Sequence, residues 1–235
     1  MAQPWYVEFF RSGDYARVYS FDEERSAREA AFAERALALR PGMRVLDLCC
    51  GRGRHLRRLP GAVGMDLDLL SLRGLPAACA DMRALPLRPR SLDAVASLFS
   101  SFGYFESDED DLAALREVGR VLRPGGGLLL DLLNREHALA GFVSEQQRVE
   151  EDGTLIVEQR RFDAWRSRLT TTFVIVGPDG ARRDSPGHSL RLYTLTELSR
   201  MLAQAGLALQ RAYGGYSFEE WSLESPRTIA LARAP

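Results

Sequence analysis

Apolar residues fall in short runs through the middle of the chain and at helical spacing on either side of it. From Val45 onward the runs MRVLDLC, GAVGMD, PAACAD, LDAVASLF and GGLLLDLL alternate with amphipathic stretches. That alternation predicts an α/β domain built on a mostly parallel sheet. Between the fourth and fifth runs, DEDDLAALREVGRVLRPGGG starts acidic, carries its leucines and valines at helical spacing, and stops at Pro124 and Gly125 with Arg120 and Arg123 in the last turn. These are the start and stop signals of a helix. The first 40 residues read as helices as well, YARVYS and then DEERSAREAAFAERALAL, ending at Pro41 and Gly42. They form a cover over residues 1–40 that lies on the edge of the sheet or on its ligand, ahead of a main domain over 41–235.

Around residue 150 the pattern changes. TLIVEQRRFDAW, RLTTTFVIVGPDGARR and SLRLYT are alternating or β-branched, with a turn signal at PDG, 178–180. This predicts an antiparallel insertion over 145–192. A helical pattern returns in TLTELSRMLAQAGL, where Thr194 and Glu197 have capping-box spacing and Gly206 is a stop. LALQRAYGG and RTIALARA supply two closing strands.

The stretch VLDLCCGRGRH, 45–55, is a strand running into a glycine turn, the usual place for a nucleotide. A dinucleotide fingerprint needs three glycines, for the tight turn, the approach of the pyrophosphate and the packing of the helix. Only Gly51 and Gly53 are present, Leu56 holds the third position, and Asp47 stands just before the turn. A carboxylate there is a poor neighbour for a pyrophosphate, which counts against a nicotinamide-dependent oxidoreductase. A ligand with cationic groups and no phosphate reverses that argument, and S-adenosylmethionine carries both a sulfonium and an ammonium. Asp66 ends the second run, where a carboxylate can accept from ribose hydroxyls. Asp81 ends the third, within reach of an adenine amine, and Met82 offers the ring an apolar face. Each acid taken alone also reads as a cap or turn residue. Three at the carboxyl ends of consecutive strands mark the crevice where α/β sheets bind ligands.

Composition narrows the partners. A formal net charge of −1 gives no field for nucleic acid or an anionic membrane. Every basic residue is arginine, which excludes a Schiff-base or Walker-type lysine. Cys49, Cys50 and Cys79 lie in or beside apolar runs and read as buried thiols of a reducing, cytoplasmic compartment. They form no zinc pattern with His55, His137 or His188, so no metal is expected. Neither a signal-peptide profile nor an apolar run of membrane length is present. The arginines around His55 read as a solvated face, with Arg54 or His55 near a cofactor carboxylate.

With Asp47, Cys49, Gly51 and Gly53 standing as Asp-x-Cys-x-Gly-x-Gly, the chain resembles the class I S-adenosylmethionine-dependent methyltransferases, whose motif reads Asp-x-Gly-x-Gly-x-Gly. Cys49 is a departure, small enough to leave the turn bare at the other two positions. CCGRGRH, SFGYF after strand four and LRLYTLTEL before the last helix are similar to the branch acting on small molecules, such as glycine, sarcosine or sugar-amine N-methyltransferases. The resemblance implies a doubly wound, seven-stranded, mostly parallel Rossmann-like sheet with the antiparallel β insertion after strand five. It implies a cofactor site of Asp47, Cys49, Gly51, Gly53, Arg54, Asp66, Leu67, Asp81, Met82 and Phe99. The segment Arg54–Ala62 leaves room for a first helix of about two turns, a shortening that bears on where Asp66 stands. In place of the motifs of the DNA-acting branches after strand four, the chain has FSSFGYF.

Methyl transfer is an in-line displacement that proximity alone can speed by roughly 7–11 kcal/mol. A neutral amine needs no strong base. An oxygen acceptor does, and His188, Tyr104 and Tyr193 are the candidate catalytic residues. Phe99, Phe102, Tyr104 and Phe105 can face a cation or belong to the core. The expected function is methylation of a small-molecule acceptor, most simply an amine, under a lid made by the insertion, with His188, Arg191 and Tyr193 facing the methyl group. A cofactor-binding regulator without turnover, an aminopropyl transferase and a nicotinamide oxidoreductase are the competing functions. A homodimer through exposed strands is the competing role for the insertion.

Overall fold

The computed structural model describes residues 5–19 and 21–235, with the side chains of Val7 and Ala16 left aside. Residues 1–4 and Ser20 of the expected N-terminal cover lie outside the described residues. The chain opens with three helices, α1 (Trp5–Arg11), α2 (Gly13–Val18) and α3 (Glu23–Ala36). Asp22 caps α3, its side chain accepting from the Arg25 backbone N–H. Strands β1 (Val45–Leu48), β2 (Ala62–Asp66), β3 (Ala77–Cys79) and β4 (Leu92–Ser97) follow, then α4 (Asp108–Val121) and β5 (Leu122–Leu133). After the short α5 (Arg135–Ala140) come β6 (Glu145–Val149), β7 (Leu155–Asp163), β8 (Arg168–Val176) and β9 (Arg182–Arg191). Helix α6 (Leu195–Gln204), with the Thr194–Glu197 capping box in place, precedes β10 (Ala208–Tyr213) and β11 (Arg227–Arg233).

The main sheet has seven strands in the order β10-β11-β5-β4-β1-β2-β3. It is parallel except for β11, which runs antiparallel to both β5 and β10. β1 and β4 are buried along their whole length, as expected of strands covered on both faces. Leu46, Leu48, Val95 and Leu130 pack on one face with α4 and α6 through Leu115, Val118, Leu198 and Leu202. Val45, Ala94, Ala96 and Ile229 pack on the other with Phe32 and Ala33 of α3. β1 pairs with β2 on one side and β4 on the other, so the strand order reverses there and a crevice opens at its carboxyl end.

Two local expectations change. The segment after the glycine turn holds isolated i→i−4 bonds, Arg57 N–H to Gly53 O and Leu59 N–H to His55 O, but no regular helix. Pro60 and Gly61 end it too soon for one to propagate. The three cysteines are not all buried: Cys50 is buried, Cys49 half-buried and Cys79, on the edge strand β3, exposed.

The insertion is a separate four-stranded antiparallel sheet, β6-β7-β8-β9. Ile156, Phe173 and Ile175 of that sheet form a small core with Phe9 of α1 and Val18 of α2. The first two helices therefore pack on the insertion, while α3 packs on the main sheet. Among the described residues no helix is long and apolar enough to cross a membrane.

Candidate active site

A cavity of about 580 Å³ opens at the carboxyl ends of β1, β2, β3 and β4 and is covered by residues of the N-terminal helices. Its floor is the glycine turn. Gly51 has φ +50° and open space where a Cβ would stand, so a ligand can lie on bare backbone. Its N–H donates to Asp66 Oδ2 at 2.8 Å, and Asp66 Oδ1 accepts from Asp68 N–H. Burial raises the Asp66 carboxyl, although the backbone donors oppose it. Asp81 also lines the cavity, but the Arg83 guanidinium clasps it at 2.7 Å and reaches Asp110 at 2.9 Å. Burial pushes Asp81 up, and the Arg83 side-chain and backbone donors outweigh it and hold the carboxyl low. Cys49, Leu67, Met82 and Phe99 line the same space.

Arg54 stands between rings, its guanidinium carbon 4.4 Å from the centroid of Phe21 and 4.9 Å from that of Phe99. Its Nη1 donates to Glu29 Oε2 at 2.5 Å, His55 Nε2 lies 2.7 Å from the same oxygen, and Arg25 Nε donates to Oε1. Burial pushes Glu29 up, but the hydrogen bond from His55 and the Arg54 charge bring it down to about 2. Glu29 is thus an anion, and His55, lowered chiefly by burial, is a neutral donor to it. The second amino group of Arg54, Nη2, is buried with no partner among the described residues.

Asp47 and Gly53, expected in the cofactor site, do not line the cavity. Asp47 is 1% exposed beneath the turn and does not line the cavity. Burial raises it to about 7 against the Arg54 charge, and its Oδ2 has no partner among the described residues. Gly53 is also absent from the cavity wall; its φ is +76° and a Cβ there would lie 2.7 Å from Leu75 Cδ1, so its role is to close the turn against the second crossover.

Of the three candidate catalytic side chains only Tyr104 lines the cavity, with Trp5 and Phe10 edge-on to its ring at 5.6 and 5.5 Å. Burial holds its phenol well above the ordinary value. Tyr193 instead donates to Asp111 Oδ2 at 2.7 Å and lies under the Arg191 guanidinium, away from the cavity. Arg191 is itself taken by Asp108 and Glu197. His188 sits behind Tyr19, with 2.5 Å between the Tyr19 hydroxyl and His188 Nε2. Burial lowers it to about 4. The strand end Arg191–Tyr193 ties the insertion to α4 and α6 and does not line the cavity.

The sequence reading missed most of the roof. Tyr6, Phe10, Tyr15, Tyr19 and Phe21 all line the cavity. A signal was available: seven aromatic residues lie between Trp5 and Phe21, far more than a helix needs merely to cover a sheet edge. Burial raises Tyr15 to about 12.

The profile of the family described as "Methyltransferase domain" matches residues 21–212. Over 228 residues, 88% of each chain, the protein is 28% identical to the dTDP-3-amino-3,6-dideoxy-alpha-D-glucopyranose N,N-dimethyltransferase of Streptomyces fradiae. It is 30% identical over 188 residues, 74% of this chain and 78% of the relative, to the dTDP-3-amino-3,4,6-trideoxy-alpha-D-glucopyranose N,N-dimethyltransferase of Streptomyces venezuelae. In fold it is similar to the CcbJ methyltransferase of Streptomyces caelestis, with a TM-score of 0.80 at 19% identity, covering 92% of this chain and 98% of that one. The oxidoreductase alternative falls with this match. A glycine turn bared toward a cavity, acids at the strand ends and a profile match over most of the length agree: the chain belongs to the methyltransferase domain family and is an S-adenosylmethionine-dependent methyltransferase.

Proposed function

We propose that the protein methylates the amino group of a small molecule, an amino sugar being the class that the two Streptomyces relatives favour. The observation that carries this reading is that no ready base for an alcohol stands among the described residues lining the cavity: the carboxylates Glu23, Asp68 and Asp81 are paired with Arg58, Arg11 and Arg83, and Asp66 accepts from backbone N–H groups. Burial pushes up the Tyr15, Tyr19 and Tyr104 phenols, and His55 is engaged by Glu29. An alcohol needs its proton removed before it attacks, whereas a neutral amine already has a free lone pair.

The residues present fit the cofactor. Arg54 Nη2, the orphaned buried donor, suits its carboxylate. Asp66 suits the ribose hydroxyls, Asp81 the adenine amine, and Met82 with Leu67 the adenine faces; Cys49 and Phe99 complete the wall. The cofactor supplies a methyl group on a sulfonium. The chain's part is to hold the amine in line, exclude water, and surround the developing ammonium with aromatic faces. The amine lone pair would take the methyl group that the bound cofactor supplies, and the product ammonium would give up its proton to solvent once released from the site. Residues of α1 and α2, together with Tyr19 and Phe21, act as the lid over this space, and the insertion backs those helices from behind. The exposed edge strand β6 is the surface that a homodimer, the competing role for the insertion, would use.

The test offers methyl-labelled S-adenosylmethionine together with a dTDP-3-amino-dideoxy sugar, its 3-hydroxy counterpart, or glycine. Label on an amine and none on the hydroxy sugar is expected. Label on the hydroxy sugar overturns the amine reading.

A further inference from the structure

His188 and Tyr19 form a pair that neither motif nor family match assigns. Tyr19 follows α2 and lines the cavity, while His188 stands behind it on β9, between the rings of Phe9 and Phe173 at 5.7 and 6.2 Å. His188 reaches this place through a β-bulge. The β8–β9 register shifts between Thr171 and Phe173, and Gly187 has φ +64° with its α-carbon so close to Thr171 O that no Cβ fits. Such bulges re-aim the next side chain, often beside a functional site.

The chemistry of the contact fixes its direction. A phenol is a much stronger acid than a neutral imidazole N–H, and the bare imidazole nitrogen is a better acceptor than a phenol oxygen. The Tyr19 hydroxyl therefore donates to Nε2, and the ring proton sits on Nδ1, which is buried with no partner among the described residues. Having spent its one proton on His188, Tyr19 Oη has only lone pairs to offer the cavity.

We propose that His188 is a positioning residue that makes Tyr19 a fixed hydrogen-bond acceptor, so that the site grips an N–H of the amine, aims its lone pair, and stops at the N,N-dimethyl product. The inference rests on the amine reading and deepens it. A primary amine has two N–H groups and a secondary amine one, so each can donate to Tyr19 Oη while its lone pair stays free for the methyl. A tertiary amine has none, and the grip is lost. The arrangement persists across neutral pH, because burial and the Arg160 charge keep His188 uncharged down to about 4 while burial raises the Tyr19 phenol.

The test has a spectroscopic and a kinetic arm. Nitrogen NMR of the ¹⁵N-histidine protein bound to S-adenosylhomocysteine should show His188 as the Nδ1–H tautomer, with an Nε2 signal that shifts in Tyr19→Phe. An Nε2–H tautomer overturns the proposal. With the amine found above, His188→Phe, which keeps the ring packing, should raise KM for the amine about tenfold, the loss of roughly one hydrogen bond. Its S-adenosylhomocysteine affinity should be unchanged, and His188→Gln, which restores an acceptor, should recover most of the loss. Unaltered amine kinetics in His188→Phe overturn the positioning role while leaving the amine reading intact. Quaternary ammonium product from the wild type overturns the dimethyl limit. A wild type that methylates no amine overturns the amine reading and this inference with it.

Discussion

Asp47 shows how one residue can belong to a motif without lining the cavity. Its carboxyl is 1% exposed and its folded-state pKa, about 7, lies above the unfolded value near 3.8. Between those values the folded chain binds more protons than the unfolded one, so stability is fullest below pH 4 and is lost as pH rises toward 7. Asp47→Asn keeps an acceptor for the Leu56 backbone and removes the titration. Thermal melts should show the variant more stable than wild type at pH 8, by on the order of 3 kcal/mol, with a flatter slope between pH 4 and 7; a less stable variant at pH 8 shows instead that the anion is needed. Glu29 behaves oppositely. Lowered to about 2, it contributes stability above pH 4.5 that is lost as pH falls toward 2. Arg54, the donor that Glu29 steadies, gives a binding prediction. Arg54→Gln should weaken S-adenosylmethionine by about 1–3 kcal/mol and leave 5′-methylthioadenosine, which has no carboxylate, unchanged in calorimetry. Equal losses for both ligands move the carboxylate elsewhere.

At the scale of elements, strong local signals became the expected structures and short connections did not. α4 has Ser107 as its cap, four acids in its first turn and a buried Leu115–Val118 stripe, all visible as pattern. The crossover after β1 is decided by competition between a few helical bonds and the Pro60–Gly61 stop, and the stop prevails. In β9 the pattern PGH hides a bulge. Gly187→Ala places a side chain in the left-handed region against Thr171 O, at a cost of about 1–3 kcal/mol. The expected melting-temperature drop is roughly 2–4 °C per kcal/mol, together with the raised amine KM of His188→Phe. A melting temperature equal to wild type shows that the bulge tolerates a Cβ and removes it as the device that aims His188.

At the scale of the molecule, the chain is a seven-stranded methyltransferase sheet carrying a second unit assembled from two distant segments. Phe9 and Val18 share a core with Ile156, Phe173 and Ile175, so α1, α2 and the insertion protect one another. Hydrogen exchange with and without S-adenosylhomocysteine checks this. Protection should rise together over residues 5–19 and 155–191 if they close as one lid. A rise confined to the N-terminal helices separates the two.

The sequence by itself determined the sheet, the insertion and the chemistry of the floor. Continuous apolar strands, acids at their ends and a glycine turn are local patterns with one economical solution, and Asp66, Asp81, Met82 and Gly51 stand in the cavity wall. Only the tertiary structure decided which side of the turn each residue faces, because a strand-end side chain points up or down according to pleat and register. That turned Asp47 into the core and left the cavity to Asp66. It also decided the roof. Whether Tyr19, His188 or Tyr193 meets the substrate depends on the docking of a separate sheet and on a one-residue bulge, and neither leaves a periodicity to read. Burial then set the protonation of those groups, since solvent exclusion is a property of the assembled molecule.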